Sequence, residues 1–297
     1  MKPLFAWPWS LRKAGILGMN ERNVRLIGEK NRRKNYRFAD NKFITKQLAA
    51  KVGIPTPELY GKVRFIGDLK YLGQMLEPYS EFVLKPCRGS GGNGVLVVAE
   101  RDGEKFVTVS GKTLSLEDLK QHSAKILHGL FSLGGKPDWM LIEYRVKFSN
   151  VLSALSYQGV PDFRLIVFQG TPVLAMGRFP TSHSKGRANL HQGAVGVGID
   201  IETGITYGGV LGSRRISEHP DTSAKLAEVQ IPEWGRIKEI ASSCFELTQL
   251  GYLGADLVLD EELGPLLLEI NVRPGLAIQL ANNFGLKKAL RQRGYLG

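Results

Sequence analysis

The sequence predicts an α+β fold built from antiparallel sheets. Seven short runs rich in β-branched and other apolar residues have the composition of strands. Two connections, at residues 169–172 and 261–264, are short enough for tight turns, which indicates antiparallel hairpins. Helical patterns stand between groups of strands, whereas a doubly wound parallel sheet would alternate strand and helix. The predicted strands are 82–85, 95–99, 140–144, 163–168, 173–178, 255–259 and 266–272.

Apolar periodicity predicts three helices. The first begins with Asp40 as its N-cap and ends at Gly53, before two prolines. The second begins at Ser115, where Asp118 three residues later resembles a capping box, and it continues to the next glycine. The third spans about residues 232–251 and has a broad apolar stripe, which indicates a helix packed on a core.

Composition indicates a folded protein of one large or two moderate domains. Of 297 residues, 43% are apolar and 23% charged. Cys87 and Cys244 are too few for a disulfide framework and match no metal-ligand spacing, which favours a reducing compartment. No run approaches the roughly 18 apolar residues of a membrane span, and residues 4–11 lack the features of a signal peptide. We therefore expect a cytoplasmic protein without a membrane span.

The formal net charge of +12 lies in the two ends of the chain. Residues 1–37 carry ten basic and two acidic side chains, residues 287–297 carry four basic and no acidic ones, and the stretch between them carries 26 of each. Such a charge alone favours nucleic acid, an anionic membrane or a phosphorylated ligand as partner. The neutral body argues against nucleic acid. Our hypothesis is that the ends contact a second subunit in a homo-oligomer or an acidic acceptor; a solvated face is the alternative.

A glycine-rich segment at residues 85–95 satisfies G-x-G-x-x-G through Gly89, Gly91 and Gly94. A dinucleotide-binding loop requires a helix after the glycines, but a β-branched run follows here, so that interpretation fails. The remaining pattern is strand, flexible turn and strand, with Lys85 at the end of the first strand. Such loops cover nucleotide phosphates because glycine lets backbone N–H groups approach the oxygens. An ordinary Gly-rich hairpin turn is the alternative.

A second hairpin has metal-ligand spacing. Glu269 and Asn271 are two residues apart on a predicted strand and share a face, and closing the hairpin places Asp256 opposite Glu269. Two facing carboxylates repel each other unless a cation lies between them, and oxygen ligands favour magnesium or manganese. A polar face turned toward solvent is the alternative.

Three arginines are candidate ligands of a carboxylate or phosphate. Arg273 is two residues beyond Asn271 and should share its face, and Arg164 and Arg178 lie on a paired hairpin. Each could instead be a surface or salt-bridge arginine. Residues 182–193 are polar and lie between strands, as a substrate-binding loop would.

The order of these motifs resembles the ATP-grasp superfamily, in particular its alpha-L-glutamate ligase-like branch, which is related to the ribosomal protein S6 modification enzymes. The resemblance covers roughly residues 38–285. The matching motifs are Asp40-Asn41-Lys42 with Lys46, Gly53-Ile54-Pro55-Thr56-Pro57, Phe82-Val83-Leu84-Lys85-Pro86 with the glycine loop, Leu141-Ile142-Glu143-Tyr144, Asp162-Phe163-Arg164, Asn189-Leu190-His191-Gln192-Gly193, and Asp256 with Glu269-Ile270-Asn271-Val272-Arg273-Pro274-Gly275.

The resemblance implies an ATP-grasp fold, in which two α+β subdomains with antiparallel sheets enclose ATP. The glycine loop would act as a lid over the phosphates. The residues implied for ATP binding are Lys42, Lys85, Gly89, Ser90, Gly91, Gly92, Gly94, Ile142, Glu143, Tyr144 and Val146. Asp256, Glu269 and Asn271 would hold one or two magnesium ions, or manganese.

The activity implied by the resemblance is ligation of a carboxylate to an amine. Transfer of the γ-phosphoryl group would activate the carboxylate as an acyl phosphate, and attack by the amine would yield an amide, ADP and phosphate. The residues implied to orient the carboxylate and the oxyanion are Arg164, Arg178, Asn189 and Arg273. Glutamate or another amino acid would be attached to an amine acceptor such as an amino acid or peptide. Phosphoryl transfer without ligation and nucleic-acid binding are the alternatives.

The same resemblance divides the chain into three parts. Residues 1–39 would be a basic N-terminal segment, residues 40–285 the catalytic domain with a lid at about 82–142, and residues 286–297 a basic C-terminal tail. Ligases of this family usually carry a substantial substrate-binding domain before the Asp-x-Lys motif, whereas 39 residues precede Asp40. We therefore expect that domain to be short or rebuilt.

Overall fold

The fold consists of two antiparallel sheets, each covered by helices. The structure is a computed structural model, and it describes residues 7–89, 91–148 and 150–296. The predicted α+β class is confirmed. The small sheet contains β1 (Leu59–Val63), β2 (Phe82–Pro86), β3 (Leu96–Asp102), β4 (Lys105–Thr108), β5 (Thr113–Leu114) and β6 (Met140–Glu143). The large sheet contains β7 (Asp162–Phe168), β8 (Thr171–Phe179), β9 (Val195–Ile199), β10 (Ile205–Leu211), β11 (Arg214–Ile216), β12 (Ala227–Gln230), β13 (Tyr252–Asp260) and β14 (Gly264–Asn271).

Helices flank both sheets. The α-helices are α1 (Pro8–Lys13), α2 (Met19–Glu21), α3 (Arg37–Asp40), α4 (Lys42–Lys51), α5 (Leu72–Leu76), α6 (Leu116–Leu127), α7 (Trp234–Thr248), α8 (Ile278–Asn282) and α9 (Leu286–Gln292). A π-helical segment spans Arg22–Gly28, and 3₁₀ turns span Arg33–Asn35, Ile66–Tyr71, Leu133–Gly135, Asn150–Leu155 and Leu190–Gln192. Among the described residues, no helix has the length and apolar content needed to cross a bilayer.

The small sheet has the strand order β1-β6-β2-β3-β4-β5, with every neighbouring pair antiparallel. Helix α6 covers one face, where Leu119 and Ile126 are fully buried together with Phe82 and Leu84 of β2. Because side chains alternate along a strand, Lys85 points to the opposite face. The core packing of β2 thus directs this lysine away from α6.

The large sheet has the order β11-β10-β9-β8-β7-β13-β14, and β12 pairs with β10. Its central strands are buried on both faces. In β7, Leu165 and Val167 pack in the core with α7, whereas Ile166 and Phe168 pack on the other side with α8 and α9. This two-sided burial explains the nearly continuous apolar sequence of the strand.

The two basic ends of the chain lie side by side on the large sheet. Gly285 and Lys287 donate backbone hydrogen bonds to Ala14 (3.1 Å) and Gly15 (3.0 Å). The side chain of Gln279 accepts from the Leu17 N–H (2.8 Å) and donates to its carbonyl (3.1 Å). The two ends are far apart in the sequence, and backbone hydrogen bonds join them in the fold.

Helix boundaries agree with the predictions to within a few residues, and the differences lie at the start of α4 and at both ends of α7. Ser115 and Asp118 form the predicted capping box of α6, with bonds of 3.1 and 2.8 Å. Asp40 was wrongly predicted as the N-cap of α4. It belongs to α3, and Asn41, which has extended backbone angles, accepts the Ile44 N–H. The third predicted helix is shorter than 232–251 because its flanking residues have left-handed conformations.

Candidate active site

The two sheets meet at Lys42, the first residue of α4. Its Nζ donates to the Gly89 carbonyl (2.7 Å) in the loop after β2 and lies 3.1 Å from Glu269 Oε2 in β14. Its own backbone N–H donates to Cys87 O (3.1 Å). Burial would lower the pKa of Lys42, but the Glu269 carboxylate outweighs that effect and raises it. Lys42 is therefore a cation that links the glycine loop to the large sheet.

Two more lysines converge on Glu143, at the end of β6. Lys85 Nζ lies 2.6 Å from Glu143 Oε2, and Lys46 Nζ lies 3.3 Å from Oε1. All three residues are less than 9% exposed. Burial, together with the nearby charge of Lys85, lowers the pKa of Lys46 to about 8 despite the opposing effect of Glu143. One carboxylate thus pairs with two buried ammonium groups, which leaves a positive charge that an additional anion could neutralise.

The glycine loop is strand, turn and strand, as predicted. Its carbonyls are held from three directions, because Lys42 contacts Gly89, His122 Nε2 lies 2.9 Å from Gly94 O, and Asn189 Nδ2 donates to Gly91 O (3.1 Å). The turn requires glycine at two positions. A Cβ on Gly89 would lie 2.3 Å from Pro86 Cγ, and one on Gly94, which has φ of 75°, would lie 2.5 Å from Phe131. Gly91 and Gly92 also have positive φ, and Ser90 lies outside the described residues.

The predicted register of the acidic hairpin is confirmed, since Asp256 pairs with Glu269 across β13 and β14. Asn271 shares their face, and its Nδ2 donates to Asp256 Oδ2 (3.1 Å) and Glu269 Oε1 (3.3 Å). Asn271 therefore bridges the two carboxylates. The alternative of a solvent-facing polar surface does not hold for Asp256, which is 2% exposed.

Asp256 is neutralised by two arginines. Arg164 donates from Nε (2.7 Å) and Nη2 (2.5 Å), and Arg178 Nη2 donates at 2.8 Å. Arg178 also binds Asp162, its partner across β7 and β8, through Nε and Nη2. Burial would raise the pKa of Asp256, but the two guanidinium groups outweigh it and lower that pKa. Two acids and two arginines thus form a charge-balanced buried network.

The other predicted site residues occupy different surroundings. Arg273 Cζ lies 5.1 Å from the centroid of the Tyr36 ring, apart from the arginines that bind Asp256. Ile142 is fully buried in the core of the small sheet, where its side chain packs. Tyr144 and Val146 are half-buried just beyond that strand.

Four residues of this region were not assigned a role from sequence: Lys46, His122, Asp162 and Gln192. Lys46 lies one helical turn after Lys42, a spacing that places both on one side of α4. Asp162 is two residues before Arg164 and therefore shares its face. Gln192 Nε2 donates to Gly91 O (3.3 Å). His122 has no comparable signal, because its contact depends on where α6 packs.

The oxygen donors fit a hard cation, although the described residues contain no group of three or more His, Cys, Asp or Glu side chains arranged for a metal. The predicted set has two carboxylates, from Asp256 and Glu269, and the amide oxygen of Asn271. Cationic groups of Lys42 and the arginines now neutralise these carboxylates. Carboxylate and amide oxygens are ligands that magnesium accepts.

Several solved structures resemble this fold. D-alanyl-alanine synthetase A from Vibrio cholerae O1 biovar eltor str. N16961 is 13% identical, with a TM-score of 0.50 over 87% of this chain and 64% of that one. D-alanine–D-alanine ligase from Bacillus anthracis complexed with ATP is 14% identical, with a TM-score of 0.49 over 88% and 64%. ATP-grasp ligase PsnB complexed with minimal precursor is 13% identical, with a TM-score of 0.46 over 89% and 63%.

The chain spans less than two thirds of the length of these three proteins. No curated protein sequence matches it. The profile of one family, described as sugar-transfer associated ATP-grasp, matches residues 21–294 and confirms the predicted ATP-grasp superfamily. Because that match covers nearly all of the 297 residues, the chain belongs to the sugar-transfer associated ATP-grasp family.

Proposed function

We propose that this protein is an ATP-dependent ligase that activates a carboxylate as an acyl phosphate and joins it to an amine. One observation carries the proposal. Lys42, Lys46 and Lys85 converge beside the glycine loop, directly across from the paired acids of β13 and β14. A cluster of cations beside an oxygen-donor pair is what transfer of a magnesium-bound phosphoryl group requires.

ATP would bind between the two sheets. The lysines would neutralise its phosphates, and backbone N–H groups of the glycine loop, at Gly89, Gly91, Gly92 and Gly94, would contact phosphate oxygens. The end of β6, at residues 142–146, would contact adenine and ribose. Glu143 Oε1 is buried with the Lys46 ammonium 3.3 Å away and accepts no well-aligned hydrogen bond from the described residues, so we propose that it accepts one from a ribose hydroxyl.

Asp256, Glu269 and Asn271 would hold magnesium. Bound there, the ion would neutralise charge on the transferring phosphoryl group. The protein itself holds these side chains on one face of the hairpin formed by β13 and β14, and it places two arginines beside Asp256. A cation held there would share the neutralisation of Asp256 with Arg164 and Arg178, whose donors could then orient a carboxylate substrate.

The reaction we propose has two steps. A carboxylate oxygen attacks the γ-phosphorus and ADP leaves; the amine nitrogen then attacks the acyl carbon, phosphate leaves, and the amine loses a proton. Arg164, Arg178, Asn189 and Arg273 would orient the carboxylate and the oxyanion. Asn189 and Gln192, in the connection between β8 and β9, both donate to Gly91 O, and a glycine loop held there would keep water from the acyl phosphate.

Product analysis tests this proposal. The full chain is incubated with ATP, magnesium and pooled amino acids, small peptides and amino sugars, the last because of the family's association with sugar transfer. Mass spectrometry should find an amide together with ADP and phosphate. A stable phosphorylated product with no amide would instead assign phosphoryl transfer and contradict the ligase. The substrate we expect is an amino acid, glutamate included, joined to an amine acceptor.

A further inference from the structure

Helix α1 at the N-terminal end exposes large apolar side chains. Trp7 and Trp9 are 72% and 76% exposed, and Leu11 is 41% exposed. Every described side chain from Trp7 to Ala14 is exposed, so no described segment covers this helix. Exposing two tryptophan side chains in one turn to water is unfavourable in free energy. Such a surface is typical of a site that binds a membrane or another molecule.

Positive charge surrounds the same helix. Arg12 and Lys13 form its last turn, and the Arg12 guanidinium lies 5.7 Å from the centre of the Trp9 ring. Lys288 of α9 is exposed and packs against Gly15, just after the helix. We call Trp7, Trp9, Leu11, Arg12, Lys13 and Lys288 the terminal patch.

The acids near the patch do not cancel its charge. Glu21 is engaged by Lys287 (2.6 Å) and Arg25 (3.8 Å). Glu29 is the other acid among the first 37 residues, and it lies beyond the π-helical segment. Because the body of the protein is neutral, the cationic excess and the exposed tryptophans coincide at the joined ends of the chain.

We propose that the terminal patch docks the protein on the surface of an anionic lipid bilayer. Tryptophan favours the headgroup region, where its ring is buried and its N–H stays hydrated. Arginine and lysine beside it contact lipid phosphates while their stems lie along apolar surface. A nucleic acid would use the charge but not Leu11, and an acidic protein would not need two adjacent tryptophans. The patch thus matches both the charge and the interfacial character of a membrane surface.

Vesicle binding tests the docking surface with the full chain. The protein should co-sediment with vesicles of phosphatidylcholine and phosphatidylglycerol, bind neutral phosphatidylcholine vesicles at least about tenfold more weakly, and lose affinity as salt rises. Its tryptophan emission should shift to shorter wavelength on the anionic vesicles. Equal binding to both vesicle types, or to neither, would overturn the proposal.

Two variants separate the contributions. Trp7→Ser with Trp9→Ser should weaken vesicle binding about tenfold and abolish the emission shift, since the remaining tryptophans, Trp139 and Trp234, lie elsewhere. Charge reversal of Arg12, Lys13 and Lys288 to Glu should weaken binding at least about tenfold. The matched control reverses three exposed lysines outside the patch, Lys51, Lys105 and Lys112, and should retain binding.

Three outcomes would contradict lipid docking. If both patch variants bound vesicles as the wild type does, and circular dichroism confirmed their fold, the terminal patch would not be the membrane-binding surface. Binding of an RNA or DNA oligonucleotide that depends on the patch, without vesicle binding, would assign it to nucleic acid. Self-association that the tryptophan variant abolishes, again without vesicle binding, would assign it to a second copy of the chain.

Discussion

The two halves of the candidate site differ in how their charges balance. Around the three lysines, ion pairs within 4 Å join Lys42, Lys46 and Lys85 to only two carboxylates, Glu143 of the small sheet and Glu269 of the large sheet. On the large sheet, Arg164 and Arg178 meet Asp162 and Asp256 in equal number. The first region has an unmet need for an anion, whereas the second is satisfied by itself. This difference is why we propose that the first region binds a ligand directly, whereas the second must rearrange first.

The largest expected effect comes from breaking the balanced network. Arg178→Met leaves Asp162 without its guanidinium partner in the interior and should reduce the free energy of unfolding by about 3–5 kcal/mol. Urea denaturation measures it. The matched control is Arg145→Met, which removes a half-exposed pair with Glu81 and should cost less than about 1 kcal/mol. Equal losses in the two variants would show that the network is no more important to stability than a surface pair.

Removing a single charge from the acidic hairpin should affect turnover more than stability. Glu269→Gln keeps the shape of the side chain but removes the charge that we assign to magnesium, so ATP turnover should fall about 100-fold or more. Steady-state ADP release at saturating magnesium measures the loss. Glu262→Gln, in the exposed turn of the same hairpin, is the control and should behave like the wild type. Retained turnover in the Glu269 variant would remove that residue from the metal site.

Reducing the cationic surplus should weaken nucleotide binding. Lys85→Met removes one of the two buried ammonium groups at Glu143 and should raise the Kd for ATP at least about tenfold. Calorimetry measures the affinity, and Lys105→Met, in an exposed position of the same sheet, is the control. An unchanged Kd would show that Lys85 does not bind ATP and would favour the alternative that the glycine loop is an ordinary hairpin turn.

The smallest expected effect is a pH dependence. Lys46 has its pKa lowered to about 8, so its charge is present below that pH and is lost as pH rises through it. ATP affinity should therefore decrease a few-fold between pH 7 and pH 9, and ATP binding near pH 8 should take up protons. Calorimetry in two buffers of different ionisation enthalpy measures the uptake. Lys46→Arg, which stays charged, should bind ATP equally across that range; the same decline in this variant would assign the titration elsewhere.

Local sequence patterns were sufficient for the elements of the site. The strand character after Gly94 excluded a dinucleotide loop, and the short turn between β13 and β14 placed Asp256 opposite Glu269, as the structure confirms. The capping box at Ser115 was also readable. Alternation along strands and turn chemistry act over a few residues, so neighbouring sequence carries this information. The wrong cap at Asp40 is a one-residue error of the same local kind.

Ion pairs between residues far apart in the chain could not be predicted from local sequence patterns. Lys42 meets Glu269 and Arg164 meets Asp256 only because the fold brings helix α4 and strands β7, β13 and β14 together. The periodicity of each segment identifies its buried face but contains no information about which carboxylate neutralises which cation. The union of the two basic ends is likewise a product of packing, since Ala14 and Gly285 are joined by a backbone hydrogen bond that no side-chain pattern encodes. Sequence therefore determined the fold class and the chemistry available, whereas three-dimensional packing selected the partners of each charge, because those contacts form between residues far apart in the chain.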